Sequence, residues 1–384
     1  MKRFMKQTES FKWLLGSQYF LYFGVLGVFL PYFNLYCYHL GFNGFQIGVL
    51  SGVRSMSLVL FPILWGMAAD RFQARRSIYI FCNFFSAVIW IFFLFTTDFY
   101  RMFWITLVYG ICFAPIISFM ETFTMEALGP EKRGYGRVRV WGTIAFISVV
   151  TIMGRVIDRF SVEIILKVIL IGALIQAVIS IRIPRTRGAG KPSVIGADPG
   201  FLFRPRALIF MLCAFLMLVS HGTYYGFLSI HLEALGCDGT FIGMVWALAS
   251  GAETLVMFNS TRIFKRFSLE KVLIFSCMIA VLRWTILSAT QSPGVIMASQ
   301  VLHAFTYASF HIACILYMDD LAPEKSKTLA QGVINAMTYG LGMMTGFLLN
   351  GYFYESLGPF RMFMISGGIA LVSGGMFGIS RMIK

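Results

Sequence analysis

The sequence predicts an all-α membrane protein of twelve spanning helices built as two six-helix pseudo-repeats. Three observations predict it. Of 384 residues, 58% are hydrophobic and only 13% charged, with a mean hydropathy of +0.76, too little polar surface to coat a soluble globule. Lys, Arg, Asp and Glu are absent from 13–53, 77–97, 102–120, 207–232 and 284–318, whereas about 20 apolar residues cross ~30 Å of hydrocarbon. Finally, turn motifs recur at nearly one offset. Gly41-Phe-Asn-Gly-Phe-Gln-Ile-Gly48 returns as Gly236-Cys-Asp-Gly-Thr-Phe-Ile-Gly243, and Met125-Glu-Ala-Leu-Gly-Pro-Glu-Lys132 as Met318-Asp-Asp-Leu-Ala-Pro-Glu-Lys325. A duplicated unit with parallel repeats follows.

Charge bursts and Gly, Pro, Asn and Asp turns punctuate the chain. They place spans at 12–37, 46–69, 77–97, 101–126, 137–156, 162–182, 206–232, 240–262, 269–289, 295–318, 328–351 and 360–381. The long first apolar run, with no small-residue cleavage site after it, reads as a retained span rather than a secretory signal. The stretch 184–205, with Pro184, Pro192, Pro199 and Pro205, is too polar and too broken to span. It divides an N-terminal bundle, 1–183, from a C-terminal bundle, 206–384.

The net charge of +15 lies in alternate loops beside apolar runs, so it does not mark a nucleic-acid partner. Twenty-five Lys and Arg fall on the side of the termini and five on the other. The positive-inside rule then puts both termini, and the loop Gly66-Met-Ala-Ala-Asp70-Arg71-Phe-Gln-Ala-Arg75-Arg76, in the cytoplasm. Seven scattered cysteines lack metal-site or disulfide spacing and read as small buried side chains. No metal or other cofactor is expected.

Two six-helix repeats, a basic central linker and Gly66-x-x-x-Asp70-Arg71-x-x-x-Arg75-Arg76 after span two resemble the major facilitator superfamily over essentially the whole chain. Three further stretches resemble its phenylpropionate permease type, a group similar to the oligosaccharide and nucleoside proton symporters. They are Gly134-Tyr-Gly-Arg-Val-Arg-Val-Trp-Gly-Thr-Ile-Ala-Phe146, Arg283-Trp284, and Leu302-His303-Ala-Phe305 with Ala330-Gln331-Gly332. The resemblance implies a multi-pass, monomeric transporter of the inner or plasma membrane that takes up a small organic solute (aromatic acid, sugar or nucleoside) with protons, by alternating access. An exporter of drugs or metabolites is the rival of the same fold; an intramembrane enzyme and a receptor without transport are rivals of other classes. The charged loop becomes a cytoplasmic gate: small Gly66 lets helices approach, and Asp70 caps or salt-bridges a neighbouring helix end beside Arg71, Arg75 and Arg76.

Ionisable groups at membrane depth are costly and mark function by default. Arg54, Glu253 and Arg283 lie near the middle of their spans. Glu253 and Arg283 are expected to pair, either as a structural lock or as a switch in which the carboxylate takes a proton when its partner is drawn away. Arg54 suits a carboxylate solute, or a pairing with Glu121. Glu121 itself faces Arg137 and Arg139 as a gate salt bridge, or serves as a solute or proton ligand with Trp141 as a stacking surface. His221 lies in span seven. In span ten His303, Tyr307 and His311 recur every fourth residue, sharing one face that suits proton relay.

Overall fold

A computed structural model of the chain describes residues 2–129, 134–184 and 198–380, with the side chains of 2–10 and 380 left aside. Most of the predicted linker, 185–197, and the end of the first Met125–Lys132 motif lie outside the described residues. Among the described residues the structure is helical throughout. The helices are α1 (Lys2–His39), α2 (Gly44–Arg71), α3 (Arg75–Ile91), α4 (Phe99–Leu128), α5 (Tyr135–Phe160) and α6 (Ile164–Ser180). They continue with α7 (Pro205–Ala234), α8 (Gly239–Arg266), α9 (Leu269–Ala289), α10 (Pro293–Leu321), and a long run, Glu324–Ile379. That run is two helices: Gly358, at φ 71°, and Pro359 break it, giving α11 (324–357) and α12 (359–379). The predicted spans each find their helix.

Local chemistry sets several ends. Asp98 accepts from the Arg101 amide at 3.0 Å and starts α4; Gly129, at φ 51°, stops it. The first glycines of the duplicated motif do one job twice. Gly41 (φ 82°) and Gly236 (φ 80°) both adopt the left-handed backbone that ends a helix. At the second, the Gly236 and Cys237 amides donate to the carbonyls of Glu233 (2.8 Å) and Leu232 (3.0 Å). Pro31, Pro62 and Pro115 stand inside helices that run on through them.

The helices gather into two compact units. The first comprises Met1–Leu40, Ser57–Lys191 and Asp238–Ala247. Here α1 packs on α4, α5 and α6, while α3 lies against α4 and α6. The core holds Leu15, Tyr19, Tyr22, Tyr79, Phe119 and Phe123. Polar groups within it pair across helices, because an unsatisfied one in hydrocarbon is costly. The Tyr79 hydroxyl donates to Gln18 Oε1 (2.7 Å), Gln18 Nε2 to the Gln176 carbonyl (3.2 Å), and Trp90 Nε1 to the Leu166 carbonyl (2.9 Å).

The second unit comprises Gly41–Met56, Pro192–Cys237 and Leu248–Lys384. In it α7 packs on α11 and α12, and α9 on α10 and α12. Backbone contact through glycine replaces side-chain packing where α7 meets α11. A Cβ added to Gly346 would lie 2.7 Å from the Val219 carbonyl oxygen, and one on Gly222 would lie 2.5 Å from the Gly346 carbonyl carbon. The Gly342-x-x-x-Gly346 spacing thus serves close packing.

Candidate functional site

Two mid-span charges of the second unit, Arg283 and Glu253, meet at one histidine. Arg283, on α9, is completely buried. Its Nη1 donates to His303 Nδ1 at 2.7 Å and its Nη2 to Gln300 Oε1 at 2.8 Å. The guanidinium also lies over the rings of Tyr224 (4.1 Å) and Trp284 (4.8 Å), where cation–π attraction replaces part of its lost hydration. The far nitrogen of His303, Nε2, is 2.8 Å from Glu253 Oε1 on α8. The expected direct pairing of Glu253 with Arg283 is therefore corrected: His303 stands between them and touches both.

This geometry defines a tautomer. Arginine has only donors, so His303 Nδ1 must accept. A neutral imidazole then carries its hydrogen on Nε2 and donates it to the Glu253 carboxylate. The Tyr225 hydroxyl reaches the same Nε2 at 3.2 Å.

Around this triad stands an aromatic wall. Tyr307 stacks on His303, with centroids 5.3 Å apart, and on His311 at 6.4 Å, so the predicted four-residue ladder does share a face. Yet Ala304–Ser309 is a π-helical turn, and so is Ala336–Gly342 on α11. Such turns gather at functional sites. The Tyr339 hydroxyl of the second turn lies 2.7 Å from His311 Nδ1, at a small pocket also lined by Asn335, Thr338 and Cys314. His221 closes the wall beside Trp284, at 5.1 Å, and Tyr307, at 6.3 Å. Its Nδ1 donates to the Met217 carbonyl at 2.8 Å. The buried His221 Nε2 and Arg283 Nε have no protein partner.

The sequence reading missed Gln300 and Tyr339. Gln300 precedes His303 by three residues, so helical spacing was a usable signal; Tyr339 lies on another helix and carried none.

The first unit arranges its predicted residues differently. Glu121 is met by the Tyr135 hydroxyl at 3.5 Å, and neither Arg137 nor Arg139 forms the expected salt bridge with it among the described residues. Arg139 lies instead over the rings of Phe23 (3.7 Å) and Tyr19 (5.6 Å). Trp141 packs on Trp13, with centroids 5.7 Å apart, and against Gly16. Arg54, half-buried on α2, belongs to the second unit.

In the charged loop, Asp70 accepts from Arg75 at 2.6 Å, and Arg75 also reaches Glu126 at 3.0 Å. Arg76 donates to the carbonyls of Ile183 (2.5 Å) and Ile181 (2.7 Å), capping the end of α6. Arg71 lies over Phe72. Gly66 does not provide the close approach expected of it: a Cβ there would meet nothing within 4 Å. Among the described residues no three His, Cys, Asp or Glu side chains are grouped to hold a metal.

Membrane-length helices in the order described, with buried charges at mid-span, define a multi-pass transporter of the major facilitator fold. The chain matches the MFS_1 like family over residues 12–365 and belongs to that family. It is 27% identical over 369 residues to a protein of Escherichia coli (strain K12) named "Probable 3-phenylpropionic acid transporter", covering 91% of this chain and 93% of that one. It is 23% identical over 359 residues to the maltose permease of Geobacillus stearothermophilus, covering 90% of each. Among solved structures, the crystal structure of the nucleoside transporter NupG superposes with a TM-score of 0.85 at 19% identity, covering 96% of this chain and 98% of that one.

Proposed function

We propose that this transporter takes up a small organic solute bearing an acceptor group, in the first place an aromatic carboxylate, together with protons, at the Arg283–His303–Glu253 triad. The carrying observation is that His303 receives Arg283 on one nitrogen and faces Glu253 with the other. While Arg283 occupies Nδ1, the imidazole cannot take a second proton. A solute carboxylate that draws the guanidinium toward itself frees Nδ1. His303 can then bind a proton, with Glu253 as its counter-charge, and loss of the solute reverses the exchange. Solute and proton thus enter and leave together.

Several features favour an aromatic acid. Tyr224, Tyr225, Trp284 and Tyr307 offer ring faces, and the planar guanidinium suits a carboxylate. The orphan nitrogens of His221 and Arg283 are polar positions for a ligand to satisfy. A relative at 27% identity is named for 3-phenylpropionic acid; the names of the maltose permease and NupG keep sugars and nucleosides as the classes to compare. Arg54, Tyr307 and His311 are assigned to solute and proton contacts on the same pathway, and Glu121 and Trp141 to its first-repeat wall.

In this reading the two repeats, 1–183 and 206–384, rock as a monomer in the inner membrane with the termini and the 184–205 linker in the cytoplasm. The Gly66–Arg76 loop, through Asp70, Arg71, Arg75 and Arg76, governs the cytoplasmic gate. The test is uptake into proteoliposomes under an imposed pH gradient, comparing 3-phenylpropionate, maltose and uridine. Accumulation of the aromatic acid alone, abolished by a protonophore, is the expected result. Accumulation of either neutral solute without it overturns the assignment of Arg283 to a carboxylate.

A further inference from the structure

The duplicated Gly-x-x-Gly-x-x-x-Gly motif serves more than helix termination, because its second and third glycines build two matched helix crossings, one within each compact unit. In the first unit, α8 crosses α5. A Cβ on Gly154 would lie 2.2 Å from the Gly239 carbonyl oxygen, and one on Gly243 would lie 2.5 Å from that of Val150. In the second unit, α2 crosses α11. A Cβ on Gly48 would lie 2.5 Å from the Phe347 carbonyl oxygen, and one on Gly351 would lie 2.5 Å from that of Gly44. Each crossing joins a helix of one repeat to a helix of the other with backbone against backbone.

A carboxylate closes each crossing. The α8 N-terminus caps its own third amide, Phe241, with Asp238 at 2.7 Å. Its first two amides, Gly239 and Thr240, donate to Asp158 at the end of α5, at 2.6 and 2.9 Å, and the Thr240 hydroxyl adds a third bond at 2.5 Å. The α2 N-terminus follows the same plan. Asn43 accepts from the third amide, Gln46, at 2.9 Å, and the first amide, Gly44, donates to Glu355 of α11 at 3.0 Å. A carboxylate on amides at a helix start gains from both the ionic hydrogen bonds and the helix dipole. Asp158 accepts three such bonds and Glu355 one. Tyr32 adds to the first crossing, its hydroxyl lying 3.1 Å from the Val150 carbonyl oxygen and 3.2 Å from that of Gly239.

We propose that Asp158 and Glu355 are paired latches, one on each crossing, that hold the transport pathway shut, and that the Asp158 latch is the stronger. Alternating access requires the crossings to part, so each cycle breaks these carboxylate–amide bonds and remakes them. The inference rests on the transporter class alone and not on the solute proposed above.

The test uses purified full-length protein in nanodiscs without solute, carrying Cys237→Ser because the other six cysteines are buried. Single cysteines at Ile242 on α8 or Ile47 on α2, each 1% exposed, report opening by their rate of maleimide labelling. Asp158→Asn is expected to raise labelling of Ile242→Cys about tenfold, and Glu355→Gln that of Ile47→Cys about two- to threefold, in keeping with loss of ionic hydrogen bonds. Thr240→Val, which deletes one of the three bonds and keeps the carboxylate, is expected to raise labelling about twofold and carries the test if Asp158→Asn does not fold. Unchanged labelling in the Asp158 and Thr240 variants overturns the latch. So does an equal rise at the native Cys82 in the core, which would mark general loosening, or a larger effect at Glu355 than at Asp158.

Discussion

Arg283 donates to Nδ1 of His303 at 2.7 Å, and this contact keeps a fully buried guanidinium and a buried imidazole from both being charged against each other. The imidazole passes the remaining polarity to Glu253. Three groups on α8, α9 and α10 therefore share one formal proton position, and whatever moves Arg283 changes how that position is filled.

Glu253→Gln separates proton coupling from solute binding. The amide oxygen can still accept from His303 Nε2, so the geometry survives while the counter-charge that lets His303 hold a proton is lost. Accumulation driven by a pH gradient is expected to fall more than about tenfold, and solute counterflow without any gradient to persist within about threefold. Equal loss of both would make Glu253 a structural partner only.

Arg283→Lys tests the fork. An ammonium cannot reach His303 and Gln300 in one plane while lying flat over Tyr224. Solute affinity is expected to fall about tenfold or more by isothermal titration, as a charge-assisted pair of hydrogen bonds is worth roughly 1.5–3 kcal/mol each. Arg283→Ala should in addition lower the melting temperature, because His303 Nδ1 loses its donor inside the membrane and Gln300 Oε1 keeps only the Tyr224 hydroxyl. An unchanged affinity in Arg283→Lys would move the anion site to Arg54.

Asp70→Asn bears on the gate rather than the site. The Asp70–Arg75–Glu126 chain is partly exposed, Asp70 being 37% accessible, so its stability contribution is at most about 1 kcal/mol. Turnover is expected to drop severalfold with solute affinity within about twofold and a melting temperature nearly unchanged. A parallel loss of affinity would tie the loop to the solute site.

Much of this architecture was legible in the sequence, because hydropathy reports spans directly and a duplicated turn must be built twice. Gly41 and Gly236 are the clearest case: equal motifs adopt equal left-handed turns. The shared face of His303, Tyr307 and His311 was legible for the same reason, since spacing along one helix is a local property. What joins helices was not. Nothing in α8 or α9 alone says that a residue of α10 will lie between Glu253 and Arg283, and the π-turns within α10 and α11 have no composition of their own. Glu121 shows the limit from the other side. Sequence proximity suggested Arg137 or Arg139, but Arg139 lies over Phe23, and a tyrosine hydroxyl takes the carboxylate.

Two glycines give opposite expectations despite both standing in apparent helix-contact motifs. Gly346 faces α7 so closely that an added Cβ would lie 2.7 Å from the Val219 carbonyl oxygen and 3.1 Å from the Gly222 Cα. Neither neighbour is the end of a flexible side chain, so Gly346→Ala must push two backbones apart, disturbing the wall that carries His221. The cost expected for such overpacking is about 1–3 kcal/mol, seen as a clear fall in melting temperature and lower solute affinity. Gly66, at the end of α2, has open space where its Cβ would be. Gly66→Ala also gains helix propensity of about 1 kcal/mol, so melting temperature is expected to hold or rise slightly. Solute binding should stay the same, and only turnover can change, through a conformation in which α2 meets another helix at that point. A melting temperature lowered by Gly66→Ala and spared by Gly346→Ala would reverse the assignment of close packing to these two positions.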